Sequence, residues 1–167
     1  RAITPALMRH DVQLVVLGSG SKEYAEFFQQ AAQRWSNRVG VHIGFSEPLA
    51  HRIEAGADIF LMPSRFEPCG LNQLYSLKYG TVPVVHATGG LADTVENFDP
   101  YRDRGNGWAF REFSAEAFLE ATSWAVNTFL RHPATWKAIQ LRGMREDHSW
   151  SRAAAAYGDV YTASLEG

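Results

Sequence analysis

An acid, a thiol and two glycine turns crowd into one stretch, Pro63 to Leu91, which reads PSRFEPCGLNQLYSLKYGTVPVVHATGGL. Glu67 lies in a loop after an apolar strand pattern, and the spacing that follows predicts a helix from Gly70 to Tyr79. At a helix start the first N–H groups have no intrahelical acceptor, and the helix dipole adds positive potential. The amides of Gly70, Leu71 and Asn72 would therefore form an anion site suited to phosphate. A carboxylate three residues earlier is hard to explain by packing and reads as a working group; the plainer alternative for Glu67 is a solvated loop acid. Cys69 stands one residue before the helix start, where the dipole favours a thiolate. It has no base beside it in sequence, so it reads as a residue packed close to a ligand and not as a nucleophile. Thr88-Gly89-Gly90 is a second helix start, open to two readings: a contact to the same ligand or an ordinary turn. Phe45 ends an earlier strand, where an aromatic either stacks on a base or belongs to the core.

These residues need a frame that gathers strand ends. Apolar runs at 12–17 (VQLVVL), 39–43 (VGVHI), 58–62 (DIFLM) and 82–86 (VPVVH) have the character of strands buried on both faces. Between them lie helix patterns: Tyr24, Phe27, Phe28, Ala31 and Trp35 on one face, then Glu47 to Ala55, then Gly70 to Tyr79 with Gly80 as its cap. A short helix is predicted around Leu91 to Val95. Strand–helix alternation with short connections predicts an α/β fold of right-handed βαβ units, a parallel sheet with helices on both faces. In such sheets ligands lie beyond the carboxyl ends of the strands, where Glu67 falls. Residues 97–107 read as a polar loop and Trp108 to Phe110 as a short edge strand. From Ser114, a plausible N-cap, three helices follow. Phe118, Thr122, Ala125 and Phe129 mark the first, Pro133 with Trp136 and Ile139 the second, and Trp150, Ala154, Tyr157, Tyr161 and Leu165 the third.

Bulk properties exclude several classes. The 167 residues suit one domain, 46% hydrophobic and 20% charged, which is globular composition. A net charge of −2 argues against a nucleic-acid or membrane-surface partner. No apolar run reaches the roughly 18 residues of a membrane span. One cysteine excludes an internal disulfide and a cysteine-rich zinc site, and suits a cytosol-like compartment. The six histidines show no metal-ligand spacing; His42 reads as a core or sheet residue and His51 as a helix-face residue. The tryptophans read mostly as helix anchors, and Arg142, Arg145 and Glu146 as a solvated face. Gly18-Ser19-Gly20 follows a strand, but Glu23 occupies the place of a third glycine and would repel a pyrophosphate, so a tight turn is the better reading. The chain opens on RAITPALMRHD, which reads as the tail of a helix and suggests a piece of a longer protein.

The stretch SRFEPCGLNQLYSLKYGTVPVVHATGGLADTVENFDP closely resembles the signature of bacterial glycogen synthases and plant starch synthases. VQLVVLGSG, VGVHIGFSEPLAHRIEAGADIFLMPSRFEPCGL, GWAF and the late SW extend the resemblance over essentially the whole chain. It implies the C-terminal, donor-binding half of a GT-B glycosyltransferase: residues 1–167 as one Rossmann-like nucleotide-sugar-binding domain, truncated at its N-terminal side, with 114–167 mainly helical. It implies transfer of glucose from ADP-glucose to the non-reducing end of an α-1,4-glucan, with retention and no metal or other cofactor. By motif, Glu67 would stand beside the donor glucose, and the amides after Cys69 would hold glucose and the distal phosphate. Asn72 would lie near that phosphate, and Phe45 would stack on adenine. Tyr75 stands where related nucleotide-sugar transferases carry an acid that grips ribose, which leaves its role open. The family's phosphate-clamping Arg and Lys lie upstream of this chain, as does the domain that binds most of the acceptor. The chain alone is therefore expected to be inactive, with part of its last helix uncovered. The location implied is the cytoplasm for a bacterial source and the plastid for a plant one. The rivals are a UDP-sugar transferase of the same architecture and a non-catalytic nucleotide-binding domain.

Overall fold

The computed structural model describes residues 2–165. In chain order the elements are α1 (Thr4–Leu7), β1 (Leu14–Gly18), α2 (Lys22–Arg34), β2 (Val39–Ile43), α3 (Glu47–Gly56) and β3 (Ile59–Met62). There follow α4 (Asn72–Tyr79), β4 (Val82–His86), α5 (Gly89–Thr94), β5 (Trp108–Phe110), α6 (Ala115–Arg131), α7 (Pro133–Arg145) and α8 (Trp150–Leu165). Every strand pairing is parallel. The strands form two ladders, β1–β2 and β3–β4–β5. Leu14 pairs with Val39, Ile59 with Val82, and Val84 with Trp108.

β4 is buried at all five positions, as a central strand covered on both faces must be. Side chains alternate across it. Val82 and Val84 join Trp108, Phe110, Ala125, Trp136 and Ile139 in a core shared with α6 and α7. Val85 turns the other way and packs with Leu91 and Val95 under α5. A further cluster, Leu7, Met8, Ala31 and Val39, ties α1, α2 and β2 together, with Leu61 of β3 against it.

Local signals explain the helix ends. Ser46 and Ser114 cap α3 and α6, each accepting from the N–H three residues on (3.4 and 3.1 Å). Gly80 ends α4 at φ +82°, and the Thr81 N–H closes back onto Ser76 O at 2.8 Å, a left-handed cap that glycine adopts without steric cost. Pro133 opens α7 as expected. Thr122, polar within an apolar face, is buried and donates its hydroxyl to Phe118 O at 2.7 Å, which explains its tolerance there.

Two expectations are corrected here, and two others are sharpened. The strand expected at 12–17 runs Leu14–Gly18, because the turn after α1 takes up the first residues: the Arg38 guanidinium binds Met8 O, His10 O and Val12 O there. Trp108 opens β5, the short edge strand expected, and is fully buried, stacked on Trp136 at 5.8 Å. His42 is a sheet residue of β2, one of the two readings open to it, and its side chain is exposed. Arg142 and Glu146 are not a solvated face. Arg142 donates to Gly105 O (2.8 Å) and pairs with Asp103 (3.1 Å), while Glu146 accepts from Asn106 Nδ2 at 2.5 Å. They fasten the 97–107 loop to α7. The last helix, α8, has no buried residue, and Trp150, Tyr157 and Tyr161 are exposed along it.

Candidate functional site

Parallel strands put their carboxyl ends at one edge, so the turns after β3 and β4 meet there. The loop from Pro63 to Leu71 and the turn Thr88-Gly89-Gly90 are in direct contact. A Cβ on Gly89 would stand 1.9 Å from Glu67 O, and one on Gly90 2.0 Å from Cys69 O. No side chain fits in either gap. Gly90 N–H donates to Pro68 O at 3.3 Å. Of the two readings of this turn, its visible role is to seat the Glu67–Cys69 backbone; one of its amides is already spent on that task.

Glu67 is half-buried in this loop. Ser64 Oγ donates to its Oε2 at 3.4 Å. No Lys, Arg or His forms an ion pair with it among the described residues. A carboxylate held in place, partly desolvated and uncommitted to an ion pair, is available to a bound molecule.

The helix after it begins later than expected. Gly70 takes φ +73° and Leu71 is the N-cap, so α4 proper starts at Asn72. The displaced start has a cause in Gln73. This fully buried side chain reaches back with Nε2 to Cys69 O (3.2 Å) and Gly70 O (3.1 Å), and to Thr94 Oγ1 of α5 (3.2 Å). Its amide occupies the space beside Gly70, where a Cβ would stand 2.5 Å from Oε1. Leu71 offers no side-chain cap, and the N–H groups of Gly70, Leu71 and Asn72 have no main-chain acceptor among the described residues. The expected donors are therefore free, although they span a turn and the first helical residue instead of three residues of helix.

The other predicted residues lie just past β2, in α4 and in the loop before it. Phe45 lies just beyond β2 and is 89% exposed, so it is not core. Gly44 before it has φ +148°, where the chain leaves the strand for α3. Tyr75, a turn into α4 and half-exposed, meets His51 of α3 edge to face at 5.4 Å. His51 also meets Tyr79 at 6.1 Å, so α3 and α4 lie side by side and His51 is the helix-face residue expected. Cys69 is exposed and contributes its carbonyl to the Gln73 network.

Sequence reasoning missed the supporting residues. Gln73 and Thr94, whose hydroxyl donates to Gly90 O at 2.6 Å, tie the two turns together. His86 sits between Ser64 O (2.8 Å) and Arg111 O (3.3 Å) and packs on Phe113, which holds the loop's first residues. A glutamine in the first turn of a helix lacking a capping side chain was the available signal for Gln73. Nothing local distinguished Thr94 or His86. Among the described residues no group of three or more His, Cys, Asp or Glu could hold a metal ion. No helix among them is long and apolar enough to cross a membrane.

The family model for glycosyl transferases group 1 matches residues 2–135. The chain belongs to the group 1 glycosyl transferases. It is 58% identical to a glycogen synthase of Anaeromyxobacter dehalogenans over 160 residues, 96% of this chain and 33% of that protein. It is 46% identical to the soluble starch synthase 1 (chloroplastic/amyloplastic) of Solanum tuberosum over 162 residues, 95% of this chain and 25% of that protein. The chain thus spans a third or less of the length of these curated relatives. The solved catalytic domain of starch synthase IV from Arabidopsis thaliana, bound to ADP and acarbose, superposes with a TM-score of 0.85 at 29% identity. That match covers 100% of this chain and 35% of that one. The fold is the Rossmann-like C-terminal half of a GT-B glycosyltransferase.

Proposed function

We propose that this chain is the donor-binding domain of a retaining glucosyltransferase that takes glucose from ADP-glucose and adds it to the non-reducing end of an α-1,4-glucan. The observation that carries the reading is the braced edge: Glu67, in no ion pair among the described residues, three residues before N–H groups that find no main-chain acceptor there, at a helix start. The glycogen and starch synthases that match nearly the whole chain support the choice of donor and acceptor.

In this reading the N–H groups of Gly70, Leu71 and Asn72 meet the distal phosphate. As the bond from the anomeric carbon to the phosphate oxygen breaks, charge grows on that phosphate. Donors already aimed at it stabilise the transition state without reorganisation. Glu67 holds sugar hydroxyls and offsets the positive charge developing at the anomeric carbon. The acceptor hydroxyl attacks from the face the phosphate leaves, and its proton passes to the departing phosphate, so configuration is retained. One prominent carboxylate fits this route better than a double displacement, which needs a nucleophile and a separate acid. Phe45, exposed just beyond β2, stacks on adenine, and Tyr75 lies toward the ribose. No metal enters the scheme. Thr88-Gly89-Gly90 and Cys69 shape the wall. The acceptor is held mostly by another domain of the longer protein, so the chain by itself carries no transfer activity. The location is the cytoplasm in a bacterium, or the plastid in a plant.

Calorimetric titration of the full-length protein with ADP-glucose and with UDP-glucose, together with transfer to glycogen, tests the reading. Tighter ADP-glucose binding with glucan extension supports it. Preference for UDP-glucose shifts the assignment to a UDP-sugar transferase. Nucleotide binding without transfer leaves only a binding domain.

A further inference from the structure

A cleft of about 510 Å3 lies between the 97–107 loop, the end of α6 and the start of α7. Phe98 and Asp103 line it from the loop, Trp124 from α6, His132 from the junction of the two helices and Thr135 from α7. The loop leads into the amino end of β5, and β5 is parallel to β4. α6 leaves the carboxyl end of β5 and returns across the sheet to His132. The cleft therefore sits at the amino edge of the strands, opposite the edge that carries Glu67, and the proposed function does not use it. Its size falls within the range of about 300–1,000 Å3 that holds small organic ligands.

The walls are fixed in place. Trp124 is 39% exposed, and its ring is held from within by Phe98 and Trp108, each at 6.0 Å. A second aromatic, Tyr101, is 97% exposed on the same loop. Its turn is set by Asp99 Oδ1, which accepts from the N–H groups of Tyr101 (2.9 Å) and Arg102 (3.2 Å). Asp103 has φ +46°, a region that residues other than glycine seldom enter and that recurs at ligand sites. Arg142 holds it there, donating to Asp103 O (3.0 Å) and Oδ1 (3.1 Å). Among the described residues Asp103 Oδ2 has no hydrogen-bond partner, and neither have Trp124 Nε1, Thr135 Oγ1 and the ring nitrogens of His132.

This lining selects a class of ligand. No Lys or Arg lines the cleft and one carboxylate does, which disfavours phosphates and other anions. A flat indole beside separate hydrogen-bonding groups suits a neutral polyhydroxylated ring. A pyranose lays its C–H face on the indole and turns its hydroxyls to carboxylate, imidazole and hydroxyl partners. The acceptor in the proposed reaction is a polymer of such rings.

We infer that the cleft is a second glucan site, which holds an α-1,4-glucan chain on Trp124 and Asp103 away from the reacting edge. The identity of the sugar rests on the proposed function. A chain held in the cleft does not itself react. It keeps other ends of the same branched polymer near Glu67 and raises their effective concentration. The gain exists for a polymer and vanishes for an acceptor of a few sugars.

Trp124→Ala and Ala134→Glu in the full-length protein test this. Ala134 lines the cleft and is exposed in the first turn of α7, where an acid is favourable, so the second variant obstructs the cleft without disturbing the core. It decides the matter if Trp124→Ala fails to fold. The readouts are retardation in a native gel containing glycogen, without ADP-glucose, and steady-state transfer to glycogen and to maltotriose. Each variant should be retarded less by glycogen and show a KM for glycogen raised about tenfold. Its kcat, its KM for ADP-glucose and its KM for maltotriose should stay within about twofold of wild type. Wild-type retardation and wild-type KM for glycogen in Ala134→Glu overturn the inference. So does a rise in KM for maltotriose equal to that for glycogen, which would make the effect a general distortion. If the wild-type protein transfers no glucose, the proposed function fails and the gel alone decides: retardation that Ala134→Glu weakens supports the glucan site, and its absence overturns it.

Discussion

Gly90→Ala is the sharpest perturbation of the braced edge. The added Cβ would lie 2.0 Å from Cys69 O and 2.7 Å from Cys69 C and Cα, against ordinary contact at 3.4 Å and beyond. The obstacle is backbone, so the Glu67–Gly70 loop must retreat by more than an ångström, and the Gly90 N–H to Pro68 O bond (3.3 Å) breaks. Overpacking of this kind costs about 1–3 kcal/mol and the lost bond about 1 more. For a protein of this size each kcal/mol lowers Tm by about 2–4 °C, so a fall of roughly 4–16 °C is expected by differential scanning calorimetry. An ångström of displacement at reacting groups costs about 100-fold in rate. Transfer of glucose to glycogen by the full-length variant should fall by about that factor. Gly40→Ala in β2 is the control: no atom lies within 4 Å of its Cβ, and Tm should hold or rise slightly. Gly90→Ala with wild-type Tm and wild-type transfer would refute the bracing argument. A lowered Tm with unchanged transfer would show that the loop's position does not govern the chemistry.

Gln73→Ala removes three hydrogen bonds from a fully buried amide, and a loss of about 3 kcal/mol is expected, read as a Tm fall of roughly 6–12 °C. Phe45→Ala should leave Tm within about 2 °C, because the ring is exposed, yet weaken ADP-glucose binding about tenfold by calorimetry through lost stacking, with Phe45→Tyr near wild type. Burial pushes the Glu54 carboxyl above its usual 4.5, with His51 pulling the other way. The folded chain keeps that proton to higher pH than the unfolded chain does. This contribution to stability is complete below the unfolded value and fades as pH rises through the raised folded one. Glu54→Gln should therefore raise Tm over wild type more at pH 7 than at pH 4.

The strand–helix alternation was legible because buried parallel strands and amphipathic helices leave strong periodic marks, and Gly80, Ser114 and Pro133 punctuate helices by local chemistry alone. The edge carrying Glu67 followed from the rule that ligands lie beyond strand ends. Three features were not legible. The start of α4 moved to Asn72 because Gln73 bonds backward to Gly70 and Cys69, a choice decided by contacts with α5. Gly89 and Gly90 read as a turn of uncertain use, because their need for glycine comes from Glu67 and Cys69, some twenty residues away. Arg142 and Glu146 read as surface because charge gives no hint that a loop will fold against it.

The central claim is that Glu67 acts on the donor sugar and the amides beside it on the phosphate. Glu67→Gln in the full-length protein tests this most directly, with kcat for transfer from ADP-glucose to glycogen measured alongside the Kd of ADP. The side chain is half-buried, and its hydrogen bond from Ser64 survives the change. The account predicts a fall in kcat of about 1,000-fold or more, with the Kd of ADP changed less than about threefold, because the lost interaction belongs to the transition state. Transfer at the wild-type rate, or a loss of ADP binding that matches the loss of rate, would contradict it.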